Sequence, residues 1–305
     1  MRYLSLFLIL TIYSARIHAQ KDGYVKISDG KLHYRIYGQG YPILIINGGP
    51  GMNCEGFSSL AKLLEQDYQP ILFDQRGTGS SKLERLDSTT INMDLMLADI
   101  ETLRKSLGIK EWVVFGQSFG GMLASYYAAN YPGLVKALVL AASGGMDMEI
   151  FSYVGDNISN RLGQSERDSM NYWDKKINEG DTTHYAKYHR ALGLASAYVY
   201  DKKNIPVIAE RLTQGIPSVN SLVYKDLYKT NFDCKEKLRT FSKPVLIIQG
   251  RQDIVGEAPA LKAKQLLPNS KLVFINECVH YGWLDQKEKF MKELDNFLGS
   301  LDLKN

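Results

Sequence analysis

The sequence predicts an α/β fold built on a mostly parallel sheet, and three observations carry that expectation. Short, continuous apolar runs recur along the chain, as suits strands buried on both faces of a parallel sheet. Helical apolar periodicity fills the gaps between them, which gives the alternation typical of that class. A glycine-flanked serine, Gly116-Gln117-Ser118-Phe119-Gly120-Gly121, stands between one such run and one such helix. Composition agrees with a large folded core: of 305 residues, 45% are hydrophobic and 23% charged, which excludes a disordered tail or a small stapled scaffold.

Taken in order, the chain begins with Arg2, an apolar stretch from Leu4 to Tyr13, and small residues ending at Ala19. That is the charged, apolar, small-residue order of a secretory signal peptide cut after Ala19, and the apolar run is too short to span a bilayer comfortably. An exported protein, periplasmic or secreted, is expected, with no membrane span once residues 1–19 are removed. Their removal takes away Arg2 and Arg16 and lowers the formal charge from +4 to +2. No basic run exists to bind nucleic acid. Residues 24–37 alternate apolar and polar around Asp29-Gly30, the pattern of a hairpin with a tight turn.

Four buried strands are then expected at Pro42 to Ile46, Pro70 to Phe73, Trp112 to Phe115 and Val135 to Leu140. Helices are expected between and after them at Phe57 to Leu64, Met93 to Leu107 and Met122 to Asn130. The rhythm stops near Gly145 and resumes near Lys243 with strands at Pro244 to Ile248 and Lys271 to Ile275 and helices at Pro259 to Leu267 and Gln286 to Leu298. The intervening segment is polar, tyrosine-rich and helical in period, for instance from Thr183 to Ala197, and reads as an insertion. The organisation expected is a core of residues 20–146 and 241–305 with a helical cap at 147–240.

A strand-turn-helix setting turns the Gly116 to Gly121 segment into a nucleophile elbow with Ser118 at its tip. A serine hydroxyl needs a base to take its proton, and the base needs a carboxylate to orient it. Of the five histidines, only His280 follows a buried strand, and parallel strands share with the elbow the edge where ligands bind. Asp253, after the strand Pro244 to Ile248, is the expected acid, with Glu257 as runner-up. Asp74 also ends a strand, but Arg76 beside it makes Asp74 an expected ion-pair partner within its own loop. The oxyanion donors expected are the N–H of Phe119 and that of Gly49 in the loop Asn47-Gly48-Gly49-Pro50-Gly51. Cys54, Cys234 and Cys278 have neither zinc spacing nor a framework pattern; one bridge could form, though free buried thiols are the simpler expectation.

These motifs together resemble the α/β-hydrolase fold over nearly the whole chain after residue 19, which implies an eight-stranded, mostly parallel sheet flanked by helices. More narrowly, Gly48-Gly49-Pro50-Gly51, Asp74-Gln75-Arg76-Gly77-Thr78-Gly79-Ser80-Ser81 and the elbow look like the proline iminopeptidases, peptidase family S33. The resemblance implies release of an N-terminal residue, preferentially proline, by a Ser-His-Asp triad without metal or cofactor. It also implies cap acids that hold the substrate amine. The chain departs from the family pattern at Asn47, where a histidine is common, and around Ser196 to Tyr200, which offers no carboxylate before Asp201. Other cap acids include Glu149, Asp174, Glu179, Glu210 and Asp226, none of them assignable to substrate.

The reading that leads is therefore a serine exopeptidase acting on small peptides. An esterase or other small acyl hydrolase of the same fold is the alternative, and a non-catalytic binding protein is a third. Dehalogenase and epoxide hydrolase chemistry would need an aspartate where Ser118 stands.

Overall fold

The computed structural model describes residues 20–303, so the leader expected at 1–19 lies outside the described residues. The strands are β1 (Lys21–Ile27), β2 (Gly30–Ile36), β3 (Tyr41–Ile46), β4 (Tyr68–Phe73), β5 (Lys82–Leu83), β6 (Trp112–Gln117), β7 (Val135–Ala141), β8 (Val245–Gly250) and β9 (Ser270–Ile275). They form one sheet in the order β1-β2-β4-β3-β6-β7-β8-β9, with β5 pairing off this path onto β2. From β4 across to β9 every pairing is parallel; β1, β2 and β5 are the antiparallel margin. β6 and β8 are buried at every position, as their continuous apolar runs require, whereas β1 shows the in-and-out pattern of an edge strand.

Two details of the margin differ from the sequence reading. The ninth strand, β5, has only two residues and therefore no periodic signal to find. The hairpin turn is Ser28-Asp29 rather than Asp29-Gly30, because Gly30 already pairs with Ile27. Gly30 is needed for another reason: a Cβ there would lie 2.1 Å from the Lys82 carbonyl oxygen of β5. Close approach of two strands, not turn conformation, explains this glycine.

Helices cover both faces. Met93–Ser106, Phe119–Asn130 and Ala258–Leu266 pack on one side through residues such as Leu103, Leu123 and Ala263. Ser58–Leu64 and Lys287–Gly299 pack on the other through Leu60 and Phe290. The sheet order runs outward in both directions from the β3–β6 pair, so the loops leaving these two strands open a crevice at the carboxyl edge. Between β7 and β8 the chain forms helices that include Val154–Arg161, Gln164–Asn178, His184–Ala195, Ile205–Thr213 and Pro217–Thr230. The chain leaves the core and returns to it at one neck, where Asp147 bridges Asp233 and the Cys234 N–H donates to the Met146 carbonyl at 3.0 Å. Cys234 and Leu238, which follow the neck, are already part of the main apolar core.

Candidate active site

The turn from β6 into the helix Phe119–Asn130 forces Ser118 to φ 56° and ψ −124°, a conformation that costs an L-residue about 1–3 kcal/mol. The surrounding packing imposes it. A Cβ on Gly116 would stand 2.4 Å from the Gly120 carbonyl oxygen, and one on Gly120 would stand 2.1 Å from that of Ile46. Only glycines on either side of Ser118 allow the helix to seat this close to β3 and β6. Ser118 thereby lines a cavity of about 410 Å³ at the carboxyl edge of the sheet, together with Gly49, Phe119 and His280.

The loop after β8 carries Asp253, and the loop after β9 carries His280; both side chains are buried. His280 Nδ1 lies 2.8 Å from Asp253 Oδ1, so that nitrogen carries the proton toward the carboxylate and Nε2 remains as the acceptor. Asp253 is fixed in turn: Gln249 Nε2 donates to its Oδ2 at 3.0 Å and the Val255 N–H to its Oδ1 at 3.3 Å. The histidine backbone is fixed as well, with Gln117 Nε2 donating to its carbonyl at 3.0 Å and its own N–H donating to the Tyr198 carbonyl at 3.1 Å. Tyr198 and Tyr281 stand edge-on to the imidazole, with centroids 5.5 and 5.4 Å away.

The loop after β3 lies directly against the elbow. A Cβ on Gly48 would meet Gln117 Oε1 at 2.3 Å and Ser118 Cβ at 2.6 Å, so this glycine is set by protein packing, while Gly49, at φ 71°, faces the cavity. Among the described residues, neither the Gly49 nor the Phe119 N–H is spent on a protein acceptor. Asn47 is fully buried and donates through Nδ2 to the carbonyls of Gly48 and Met52, both at 3.1 Å.

The alternatives weighed from sequence go elsewhere. Glu257 is half-buried and pairs with Arg251 at 2.6 Å. Asp74 does not pair with Arg76, as its loop suggested. It accepts from His33 at 3.0 Å and from the N–H groups of Cys54 and Ser80 at 2.9 Å, whereas Arg76 binds Asp99 at 2.8 and 2.9 Å. Apart from the local Ser80 bond, these contacts join segments 20 to 41 residues apart, which no local reading exposes. All three cysteines are free and buried; burial raises the Cys54 and Cys278 thiols far above their ordinary value and pushes Cys234 up to about 12.

No aspartate or glutamate lines the cavity among the described residues. Apart from Asn220, its side-chain walls from the insertion are apolar or aromatic, among them Phe151, Ile158, Leu212, Ile216 and Tyr224. The cap acids have other partners: Glu149 is tied to Lys262, Asp174 to Arg190, Glu210 to His184, and Asp226 accepts from the Met93 N–H. Burial raises the Tyr198 and Tyr224 phenols, which keeps both neutral across working pH. Sequence reading missed Gln117, Tyr198 and Arg211, since each acts through contacts with residues remote in the chain.

A family model described as the alpha/beta hydrolase fold matches residues 41–286. The chain is 23% identical over 294 residues to a proline iminopeptidase of Heyndrickxia coagulans, covering 92% of this chain and 99% of that protein. It is 26% identical over 297 residues to one from Clostridioides difficile, with the same coverage. Among solved structures, the esterase RhEst1 from Rhodococcus sp. ECU1013 superposes with a TM-score of 0.71 at 20% identity, covering 92% of this chain and 99% of that one. An alpha/beta fold family hydrolase from Bacillus anthracis str. Sterne gives a TM-score of 0.72 at 18% identity, covering 91% and 99%.

Proposed function

The chain belongs to the alpha/beta hydrolase fold family, and from that premise we propose that it is a serine hydrolase working through an acyl-enzyme. Ser118 attacks the substrate carbonyl while His280 Nε2 takes its proton; Asp253 holds the imidazole and stabilises its charged form. The N–H groups of Gly49 and Phe119 receive the oxyanion, helped by the positive end of the helix Phe119–Asn130. His280 then protonates the leaving group, and water repeats the sequence to free the acid. The observation that carries this reading is the Asp253–His280 hydrogen bond opening on the same cavity as the strained Ser118.

For the substrate, the lining of the cavity favours a neutral, apolar acyl group in an ester or amide. A protonated terminal amine would enter a cavity with no carboxylate lining it among the described residues, and a buried charge without a counter-charge is costly. Release of an N-terminal proline is the second reading. The motifs around Gly49 and Asp74 and the names of the full-length relatives support it. An assay of p-nitrophenyl esters beside prolyl, alanyl and N-blocked prolyl p-nitroanilides separates the two. The neutral-acyl reading expects the ester and the blocked amide to be turned over at least about tenfold faster than their free-amine counterparts; faster cleavage of free prolyl p-nitroanilide overturns it in favour of the exopeptidase. The leader-like residues 1–19 support export, and a purified native protein whose N-terminus is Gln20 would agree with it.

A further inference from the structure

Arg211 belongs to none of the sequence motifs, yet from the cap it bonds to the loops that carry Gly49 and His280. It sits on the helix Ile205–Thr213 and is only 2% exposed. No carboxylate pairs with it among the described residues, and every partner is neutral. Nη2 donates to the Gly48 carbonyl at 2.9 Å, Nε to the Tyr281 hydroxyl at 3.1 Å and Nη1 to the Asn53 carbonyl at 3.5 Å. The guanidinium also stands 4.9 Å from the centroid of the Phe57 ring. Burying a cation without a carboxylate partner is costly, and here only neutral carbonyl, hydroxyl and ring groups offset it.

The Gly48 contact gives that cost a use. The Gly48 carbonyl and the Gly49 N–H belong to one planar trans peptide and point in opposite directions. Arg211 and Asn47 both donate to the oxygen, at 2.9 and 3.1 Å, and so fix the plane from one side. The Gly49 N–H leaves the opposite edge of that peptide with no protein acceptor among the described residues, and Gly49 lines the cavity.

From this geometry we infer that Arg211 is a positioning residue for the oxyanion donor: it grips the Gly48 carbonyl from the cap and aims the Gly49 N–H at the developing oxyanion. The inference rests on the acyl-enzyme reading above. Beyond aiming the donor, a charge-assisted hydrogen bond to the carbonyl polarises the peptide and strengthens its N–H as a donor. The cation also lacks a fixed anion, so the transient oxyanion supplies its counter-charge only in the transition state. Its effect therefore belongs in turnover rather than in ground-state binding. The same guanidinium reaches Tyr281, next to His280, so correct seating of one cap helix organises both the oxyanion loop and the histidine loop.

The test compares wild type, Arg211→Lys and Arg211→Met on a p-nitrophenyl ester, with phenylboronic acid as a mimic of the tetrahedral adduct. Arg211→Met should lose about 10²-fold in kcat, the scale of an oxyanion donor, with KM changed by less than about threefold and boronate affinity falling in step with kcat/KM. Arg211→Lys, which keeps a donor and a charge, should recover part of the loss. Wild-type kcat in folded Arg211→Met, or a loss confined to KM with unchanged boronate affinity, overturns the inference. Should the methionine variant not fold, Arg211→Lys decides alone: a single ammonium cannot hold the Gly48 carbonyl and the Tyr281 hydroxyl as the guanidinium does, so kcat and boronate affinity should fall together, and wild-type values of both would overturn the inference. A wild type that cleaves none of the ester and amide substrates and is not labelled at Ser118 by a fluorophosphonate removes the acyl-enzyme reading itself, and the inference falls with it.

Discussion

The sheet-edge loops and the helical insertion meet at one cavity but hold their shapes by opposite means. At the edge, backbone packed on backbone constrains the chain: Ser118 keeps a disfavoured φ because Gly116, Gly120 and the strand ends leave it no other path. In the insertion, Val154–Arg161 and Gln164–Asn178 bury no residue fully, and polar side chains staple the helices to the core. Asn157 donates to the Ile254 carbonyl at 2.8 Å, Arg161 to that of Gln252 at 2.7 Å, and Asn220 to that of Pro50 at 2.9 Å. Asp285 completes the attachment, accepting from the N–H groups of Val279 and Tyr200 at 2.9 and 3.0 Å. These staples land on the loops that carry Gly49, Asp253 and His280. The contrast teaches that strain persists only where dense packing over-determines it, while the outer helices of the insertion hang on polar staples and on the apolar anchors Val219, Val223 and Leu227 of the helix Pro217–Thr230, which join the main core.

The largest effect expected lies at the strained residue. Ser118→Ala should lower kcat by roughly 10⁴-fold or more with an unchanged melting temperature, because Ala carries the same backbone strain without the nucleophile. Residual turnover near the wild-type rate would remove Ser118 from the mechanism.

Next comes a pair of identical substitutions in the two regions. Gly120→Ala drives a Cβ to 2.1 Å from a backbone oxygen and should destabilise by about 3 kcal/mol or more in urea denaturation. Gly155→Ala, in the insertion helix Val154–Arg161 with nothing within 4 Å of its Cβ, should instead stabilise by roughly 0.5–1 kcal/mol. Equal responses at the two positions would contradict the proposed difference in packing.

Smaller still, Ser118→Gly should raise stability by about 1 kcal/mol, since glycine adopts this conformation freely while giving back some entropy on folding. A loss of stability would show that Ser118 is not strained in solution. The smallest expected signal is a null result. Iodoacetamide at pH 8 should label none of Cys54, Cys234 and Cys278 in the native protein, because burial holds each thiol protonated and inaccessible. Rapid labelling of Cys234 alone would point to opening of the neck between insertion and core.

Much of the sheet edge was legible in the sequence because its requirements are local. Only glycine fits at positions 116 and 120, and continuous apolar runs mark strands covered on both faces. His280 and Asp253 were found by a topological rule, not by their neighbours, and the structure brings the two within 2.8 Å. Where reasoning stayed with neighbours it failed: Asp74 turned from Arg76 to His33, and Gly30 served β5 rather than the turn. Arg211 sits in a helical segment with nothing beside it to distinguish it from a solvated arginine.

By itself, then, the sequence determined the fold class, the glycine-flanked turn at Ser118 and the strand ends that carry Asp253 and His280, because glycine sterics, strand burial and parallel topology act over short or rule-bound distances. Tertiary structure alone decided which acids stay out of the cavity, which glycine faces it and where Arg211 spends its charge. Those outcomes depend on electrostatic and packing competition among groups far apart in the chain, and the winner exists only once the insertion is seated on the sheet edge.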